Sequence, residues 1–117
     1  MKRILLIVCI FTLLLSCNDD EKAAPDLTVN PAFIEFENAG ATEKVYINSN
    51  TSWASSSDQE WCRASVTRKF GNDTVEIIVE ENIGIEERIA YVRFYNPEET
   101  IIVTVKVIQN PAIRNDE

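Results

Sequence analysis

The sequence predicts an all-β fold in which seven to eight short antiparallel strands pack as two facing sheets. Three observations point there. From Asp26 onward apolar and polar residues alternate with period two, the pattern of a strand with one face buried. Clusters of Asn, Asp, Ser, Gly and Pro interrupt the chain at short intervals. Outside the N-terminal segment, no ten-residue stretch carries an apolar stripe at helical spacing. So many short strands in about 85 residues cannot cover their apolar faces as one layer, so two sheets must face each other.

Residues 1–16 read as a lipoprotein signal peptide. Lys2 and Arg3 give a positive start, and residues 4–15 form an apolar run broken only by Cys9 and Thr12. At about 1.5 Å per residue this run reaches roughly 18 Å as a helix, short of a ~30 Å hydrocarbon core. It suits a signal h-region rather than a spanning helix. Leu14, Leu15, Ser16 and Cys17 resemble the bacterial lipobox. The small Ser16 lets a peptidase reach the scissile bond, and the Cys17 thiol can carry a thioether-linked diacylglycerol. A plain secretory signal with a chance cysteine is the alternative. Several acyl chains on one residue anchor firmly, since each buried CH₂ contributes ~0.8 kcal/mol. The expected address is the outer membrane, lipid-anchored and exposed at the cell surface.

Residues 17–25 follow as an acidic flexible linker, with Asp19, Asp20 and Glu21 close behind the cysteine. That stretch resembles the surface-export signal of lipoproteins in the Bacteroidetes lineage, and a merely soluble tether is the plainer reading. The sandwich is expected over residues 26–111, with a polar tail at 112–117.

Within the sandwich, Leu27 and Val29 open a strand that Asn30 and Pro31 break. Residues 33–36 make a second, turned by Asn38, Ala39 and Gly40. Val45 and Ile47 alternate with Lys44, Tyr46 and Asn48 in a third, which ends in the polar cluster at 48–52. Trp53 opens a short segment that dissolves into serines, and Trp61 begins another reaching Val66. Gly71, Asn72 and Asp73 form a turn. Residues 74–79 alternate cleanly, with Val75, Ile77 and Val79 on one face. A polar loop at 82–87 leads into a strand at 88–95. The last strand, residues 100–108, places Ile101, Val103, Val105 and Val107 inward.

Composition narrows the function. The formal charge is −8, and removal of Lys2 and Arg3 with the signal would leave the chain more acidic still. That sign argues against nucleic acid, whose binding rests on Lys and Arg neutralising phosphates. The sequence has no histidine, which removes the commonest general base and metal ligand together. Cys9 leaves with the signal and Cys17 is acylated, so Cys62 has no disulfide partner. Beside Trp61 and without a histidine to activate it, Cys62 reads as a small buried hydrophobe rather than a nucleophile.

The landmarks resemble the BACON domain, whose name abbreviates Bacteroidetes-associated carbohydrate-binding often N-terminal. The resemblance rests on Leu27, Thr28, Val29, Asn30 and Pro31 at the start and on Ser49, Asn50, Thr51, Ser52 and Trp53 in the middle. Trp61 and Val66 follow. Glu80, Glu81, Asn82, Gly84, Glu87 and Arg88 then lead into Ala90 and Val92, and Val107, Ile108 and Gln109 close the domain. The match covers roughly residues 26–109. It implies an immunoglobulin-like antiparallel sandwich, a place among surface lipoproteins and polysaccharide-degrading systems, and binding of glycan or mucin. Cys62 stands where the family usually carries an aliphatic residue. Residues 67–73 form a shorter segment than usual, holding Arg68, Lys69 and Phe70. The resemblance carries no binding residues that transfer position by position.

Catalysis has little to work with. Glycoside hydrolysis needs two carboxylates across a cleft, ~5 to 9.5 Å apart. Glu80 with Glu81, Glu86 with Glu87 and Glu98 with Glu99 are adjacent pairs in loops or at strand ends, and neighbours on a strand face opposite ways. Asp58, Glu60, Asp73 and the loop at 80–87 offer oxygens for calcium, but no ordered ligand loop of the EF-hand type is present. No catalytic residue, metal or cofactor is expected.

Sugar binding asks for flat aromatic faces flanked by polar groups. Trp53 and Trp61 suit core packing better, given their places beside strand starts. Parity of the strand at 88–95 gives another candidate. If Ala90, Val92 and Phe94 face inward, then Tyr91, Arg93 and Tyr95 stand together outside, the tyrosines about 13–14 Å apart at ~3.4 Å per residue. Tyr46 is outward by the same logic. The plainer reading is that tyrosine simply favours strands and pairs across them. Asp73, Thr74 and Val75 resemble an acceptor motif for O-glycosylation, with Thr74 the acceptor. The expected function is a non-enzymatic surface lipoprotein that binds carbohydrate. The alternative is a structural spacer or a protein–protein accessory module of an outer-membrane complex. The expected partners are the membrane through the lipid anchor, a glycan, and an outer-membrane protein.

Overall fold

The computed structural model describes residues 24–112. The signal peptide, Cys17, most of the linker at 17–25 and nearly all of the tail at 112–117 lie outside the described residues. Within them the chain is all-β: β1 (Leu27–Asn30), β2 (Phe33–Phe36), β3 (Ala41–Ser49), β4 (Ser52–Ser57), β5 (Cys62–Ala64), β6 (Arg68–Phe70), β7 (Asp73–Val79), β8 (Arg88–Tyr95) and β9 (Ile102–Gln109). One sheet has five strands in the order β2-β9-β8-β4-β6, and the other four in the order β1-β3-β7-β5. All pairings are antiparallel except β9 with β2, where Lys106 lies beside Phe33.

Alternation closes the two sheets on each other. Leu27, Val29, Val45, Ile47, Cys62, Val75, Ile77 and Val79 point inward from the four-stranded sheet. Ile34, Phe36, Trp53, Ala90, Val92, Phe94, Val105 and Val107 meet them from the five-stranded one. Ala90, Val92 and Phe94 are fully buried, as parity requires. Trp53 and Phe94 sit edge to face, with ring centroids 5.7 Å apart. The Trp53 Nε1–H donates to the Gly71 carbonyl at 2.8 Å, so the indole enters the core without an orphaned donor.

Three segments differ from the sequence reading. Trp61 is a turn residue ahead of the three-residue β5, not the start of a strand reaching Val66. Arg68, Lys69 and Phe70, in the segment at 67–73 to which no strand was assigned, form the edge strand β6 on β4. All three are exposed, so no alternation announced the strand. The serines after Trp53 also remain in strand to Ser57, because their hydroxyls find partners. Ser55 Oγ donates to the Val66 carbonyl at 2.8 Å.

A polar clasp holds one end of the sandwich. Gln109 is fully buried on β9. Its Nε2 donates to the carbonyls of Glu80 (2.8 Å), Glu37 (3.2 Å) and Asn38 (3.3 Å), and its Oε1 accepts from Arg88 Nε at 2.8 Å. Arg88 also donates through Nη2 to the carbonyls of Glu80 and Glu81, while its guanidinium lies 4.2 Å over the Trp61 ring. The clasp ties β9 to the ends of β2 and β7 in opposite sheets, with Trp61 stacked on its guanidinium.

Gly40 turns the chain tightly beneath this end. Its φ is +85°, and an added Cβ would stand 2.8 Å from the Val79 carbonyl oxygen. Gly40→Ala is therefore expected to lower unfolding free energy by about 1–3 kcal/mol. Gln109→Leu keeps the bulk but orphans its buried partners, and a similar loss of about 1–3 kcal/mol is expected. Urea unfolding followed by tryptophan fluorescence measures both.

Candidate functional site

The outer face of the five-stranded sheet takes its form from β8. Since Ala90, Val92 and Phe94 are buried, Ile89, Tyr91, Arg93 and Tyr95 must stand on the other side. Tyr91 is 42% exposed, Arg93 is exposed and Tyr95 is half-buried. Register extends this row across the sheet. Tyr91 lies opposite Lys106, Arg93 opposite Thr104 and Tyr95 opposite Ile102 on β9, while Ala54 and Ser56 flank Tyr95 and Arg93 on β4. Arg68 lies opposite Ala54, and Phe33 beside Lys106. The face thus presents Tyr91, Arg93 and Tyr95 together, with Lys106 and Arg68 to either side.

Tyr46 does not belong to this group. It is outward and exposed, but it sits on β3 of the other sheet, opposite Thr74 on β7. The whole core separates it from Tyr91 and Tyr95. Parity told which residues face out; it could not tell which sheet they leave from. Thr74 is exposed on the same outer face as Tyr46, and its N–H donates to Asp73 Oδ1 at 2.9 Å.

Tyr95 closes a groove of about 400 Å³ with Trp53, Ala54, Arg68, Lys69 and Pro97. That volume falls at the small end of the range for ligand clefts. Lys69 Nζ is 3.4 Å from Asp73 Oδ2. The groove exists because β6 adds an edge beyond β4. At the other end of the row, Asp58 fixes the strand beneath Tyr91. The Tyr91 N–H donates to Asp58 Oδ1 at 2.9 Å, and the Asp58 N–H donates to the Tyr91 carbonyl at 3.1 Å.

Sequence reasoning missed Lys106 and Arg68 as members of this face, and Lys69 as a wall of the groove. Lys106 was legible from the alternation of β9, whose inward residues Val105 and Val107 flank it. Arg68 and Lys69 were not, because a three-residue exposed strand has no pattern to read. Trp53 is core, 1% exposed, and Trp61 packs partly buried against the core beneath Arg88. Trp53 therefore offers no face for stacking, and one face of Trp61 is taken by Arg88.

Several residues that carried the resemblance hold backbone rather than ligand. Ser49 Oγ donates to the Thr51 carbonyl, Asn50 Oδ1 accepts from Asp26 N–H, and Asn82 bridges the carbonyls of Glu86 and Asn110.

Comparison with known proteins agrees with this architecture. The family model described as the viral BACON domain matches residues 26–110, and the chain belongs to the BACON family. A xyloglucan-specific endo-beta-1,4-glucanase of Bacteroides ovatus is 30% identical over 94 residues, 78% of this chain and 19% of that protein. The chain thus spans about a fifth of that relative's length. The solved structure of a Bacteroides ovatus GH5 xyloglucanase with a XXXG heptasaccharide superposes with a TM-score of 0.68 at 25% identity. It covers 75% of this chain and 19% of that one. The E. coli chaperone DraB shares the fold alone, with a TM-score of 0.56 at 12% identity over 75% of this chain and 56% of its own.

Cys62 is fully buried, and burial pushes its thiol from 9.0 up to about 11; Asp58 adds to the rise, while a hydrogen bond with Ser57 and the Arg88 charge oppose it. The folded chain therefore keeps the proton that the unfolded chain releases above about pH 9. Stability is expected to fall by about 2–3 kcal/mol from this group as pH rises from about 9 to about 11. Cys62→Ala should flatten that part of the profile, as read by denaturation at successive pH values.

Proposed function

We propose that this chain is a non-catalytic, lipid-anchored module that binds carbohydrate on the outer face of its five-stranded sheet. The observation that carries the reading is the row on β8, where Tyr91 and Tyr95 face outward, about 13–14 Å apart along the strand, with Arg93 between them. Tyrosine rings stack on the apolar faces of pyranoses, and Arg93, Thr104 and Ser56 supply hydrogen-bonding groups between them. The groove beside Tyr95 receives one end of the oligosaccharide. The kinship with part of a xyloglucan-specific glucanase supports a polysaccharide-use setting, in which this small domain holds substrate rather than cleaving it.

Acylation at Cys17 places the domain on the outer membrane facing outward, with residues 18–25 as tether. Thr74, exposed on the far sheet, is the O-glycosylation acceptor, which leaves the binding face clear.

The alternative, a spacer or a protein–protein module of an envelope complex, draws support from Phe33, Ile89 and Ile102, which are exposed on the same face. Affinity electrophoresis of the full chain against neutral and acidic polysaccharides separates the readings. Tyr91→Ala and Tyr95→Ala are each expected to weaken glycan binding about tenfold while the fold is kept, as stacking on one ring is worth about 1–2 kcal/mol. Silence across the whole panel, with co-purification of an envelope protein that Tyr91→Ala abolishes, would replace the glycan reading by the protein one.

A further inference from the structure

We infer that the glycan this face takes is anionic, carrying carboxylate or sulfate groups, an assignment that rests on the carbohydrate reading above and narrows it. The observation is a segregation of charge that the net −8 conceals. On its strands the outer face of the five-stranded sheet carries Arg68, Arg93 and Lys106 against a single carboxylate, Glu35 on β2; Lys69 lies opposite the buried Trp53 and pairs with Asp73, and Arg88 is held in the clasp. The other sheet carries Glu43, Asp73 and Glu76 against Lys44 and Arg63. Most remaining acids of the described residues lie in loops.

Three of these cations lie along the tyrosine row. Lys106 is directly opposite Tyr91, Arg93 lies between the two tyrosines, and Arg68 lies beyond Ala54 from Tyr95. The order across the face is therefore Lys106, Tyr91, Arg93, Tyr95, Arg68, aromatic and cationic groups in turn. Lys106 and Tyr91 are cross-strand neighbours about 4.5–5.5 Å apart, successive outward residues of β8 stand about 7 Å apart, and Arg68 is two strands, about 10 Å, from Tyr95. An extended chain of acidic sugars matches that spacing, with rings over tyrosines and acid groups over cations. The two ion pairs among the described residues are Arg63 with Glu80 and Lys69 with Asp73. Arg68, Arg93 and Lys106 take part in neither.

Two plainer accounts fall short. Edge strands often carry Lys and Arg to block unwanted pairing. That explains Arg68 and Lys69 on β6 but not Arg93 or Lys106, which lie on the central strands β8 and β9. The overall negative charge does not cancel the patch either. Charges on the outer surfaces of two sheets about 10 Å apart are separated by more than the ~8 Å Debye length at physiological salt, so the acids of the far sheet attenuate the patch without cancelling it. Three carboxylates lie near the patch: Glu99 lines a small cleft with Arg93 and Tyr95, Asp58 sits against the Tyr91 backbone, and Glu35 points outward beside Ile108 on β9.

The test measures binding of the full chain to polygalacturonate, chondroitin sulfate, xyloglucan, mannan and poly-L-glutamate by calorimetry. The expected result is binding to the two acidic polysaccharides, weakening steeply as salt rises from about 0.05 to about 0.5 M. A stronger response to one of them identifies carboxylate or sulfate as the group read. Exposed ion pairs contribute a few-fold each, so Arg93→Gln should lower affinity about threefold, and Arg68, Arg93 and Lys106 all changed to Gln at least about tenfold. Glu99→Gln should raise it, and Lys44→Gln on the opposite sheet should leave it unchanged. Melting curves confirm that each variant remains folded. Equal or tighter binding of xyloglucan or mannan overturns the anionic assignment and leaves the carbohydrate reading standing. Failure of all four polysaccharides overturns both. Poly-L-glutamate binding as tightly as the polysaccharides overturns the assignment in favour of an acidic protein.

Discussion

Side-chain parity on β8 links the fold to the face it presents. Ala90, Val92 and Phe94 are drawn inward because each buried apolar side chain contributes roughly 1–3 kcal/mol, and Phe94 completes an edge-to-face contact with Trp53. A strand cannot bury alternate residues without exposing those between. A slip of one residue would drop Tyr91 and Arg93 into the core and leave Phe94 in water. The core thus fixes the outer row, and β9 and β4, held in register on either side, set its neighbours.

The clasp at Gln109 explains why so many landmarks of the sequence are polar without being binding residues. Gln109, Arg88 and Asn82 are held among backbone carbonyls where strands end and two sheets must be joined. Such groups are costly to leave unpaired in a buried place, so the residue types are tightly constrained by structure alone. Trp61 belongs to the same arrangement, since its ring lies under the Arg88 guanidinium. The BACON signature in this chain is largely a record of how the sandwich is closed.

The strands with strong alternation were legible in the sequence: β3, β7, β8 and β9 lie where their buried residues predict. What escaped was governed by contacts between distant segments. The serines of β4 stay in strand through hydroxyl partners such as Val66 O, and β6 forms because β4 offers it an edge. Neither has a local signal. The site divides in the same way. Tyr91, Arg93 and Tyr95 follow from parity within one strand, whereas the separation of Tyr46 and the approach of Arg68 and Lys106 depend on which strands share a sheet. Topology of that kind is settled by the whole core and not by any one segment.

The same logic accounts for the contrast between the two outer surfaces. The four-stranded face is polar and mixed in charge, with Thr28, Asn48, Thr74 and Glu76 among its outward residues. The five-stranded face combines exposed aromatic and aliphatic groups with Arg68, Arg93 and Lys106, none of which takes part in the ion pairs of the described residues. A solvated wall needs no such arrangement. The most direct measurement is amide chemical-shift mapping of the ¹⁵N-labelled chain titrated with oligogalacturonate. Perturbations confined to β8, β9, β4 and β6 and centred on Tyr91 to Tyr95 are the predicted result. Shifts centred instead on β3 and β7 around Tyr46 would contradict the account.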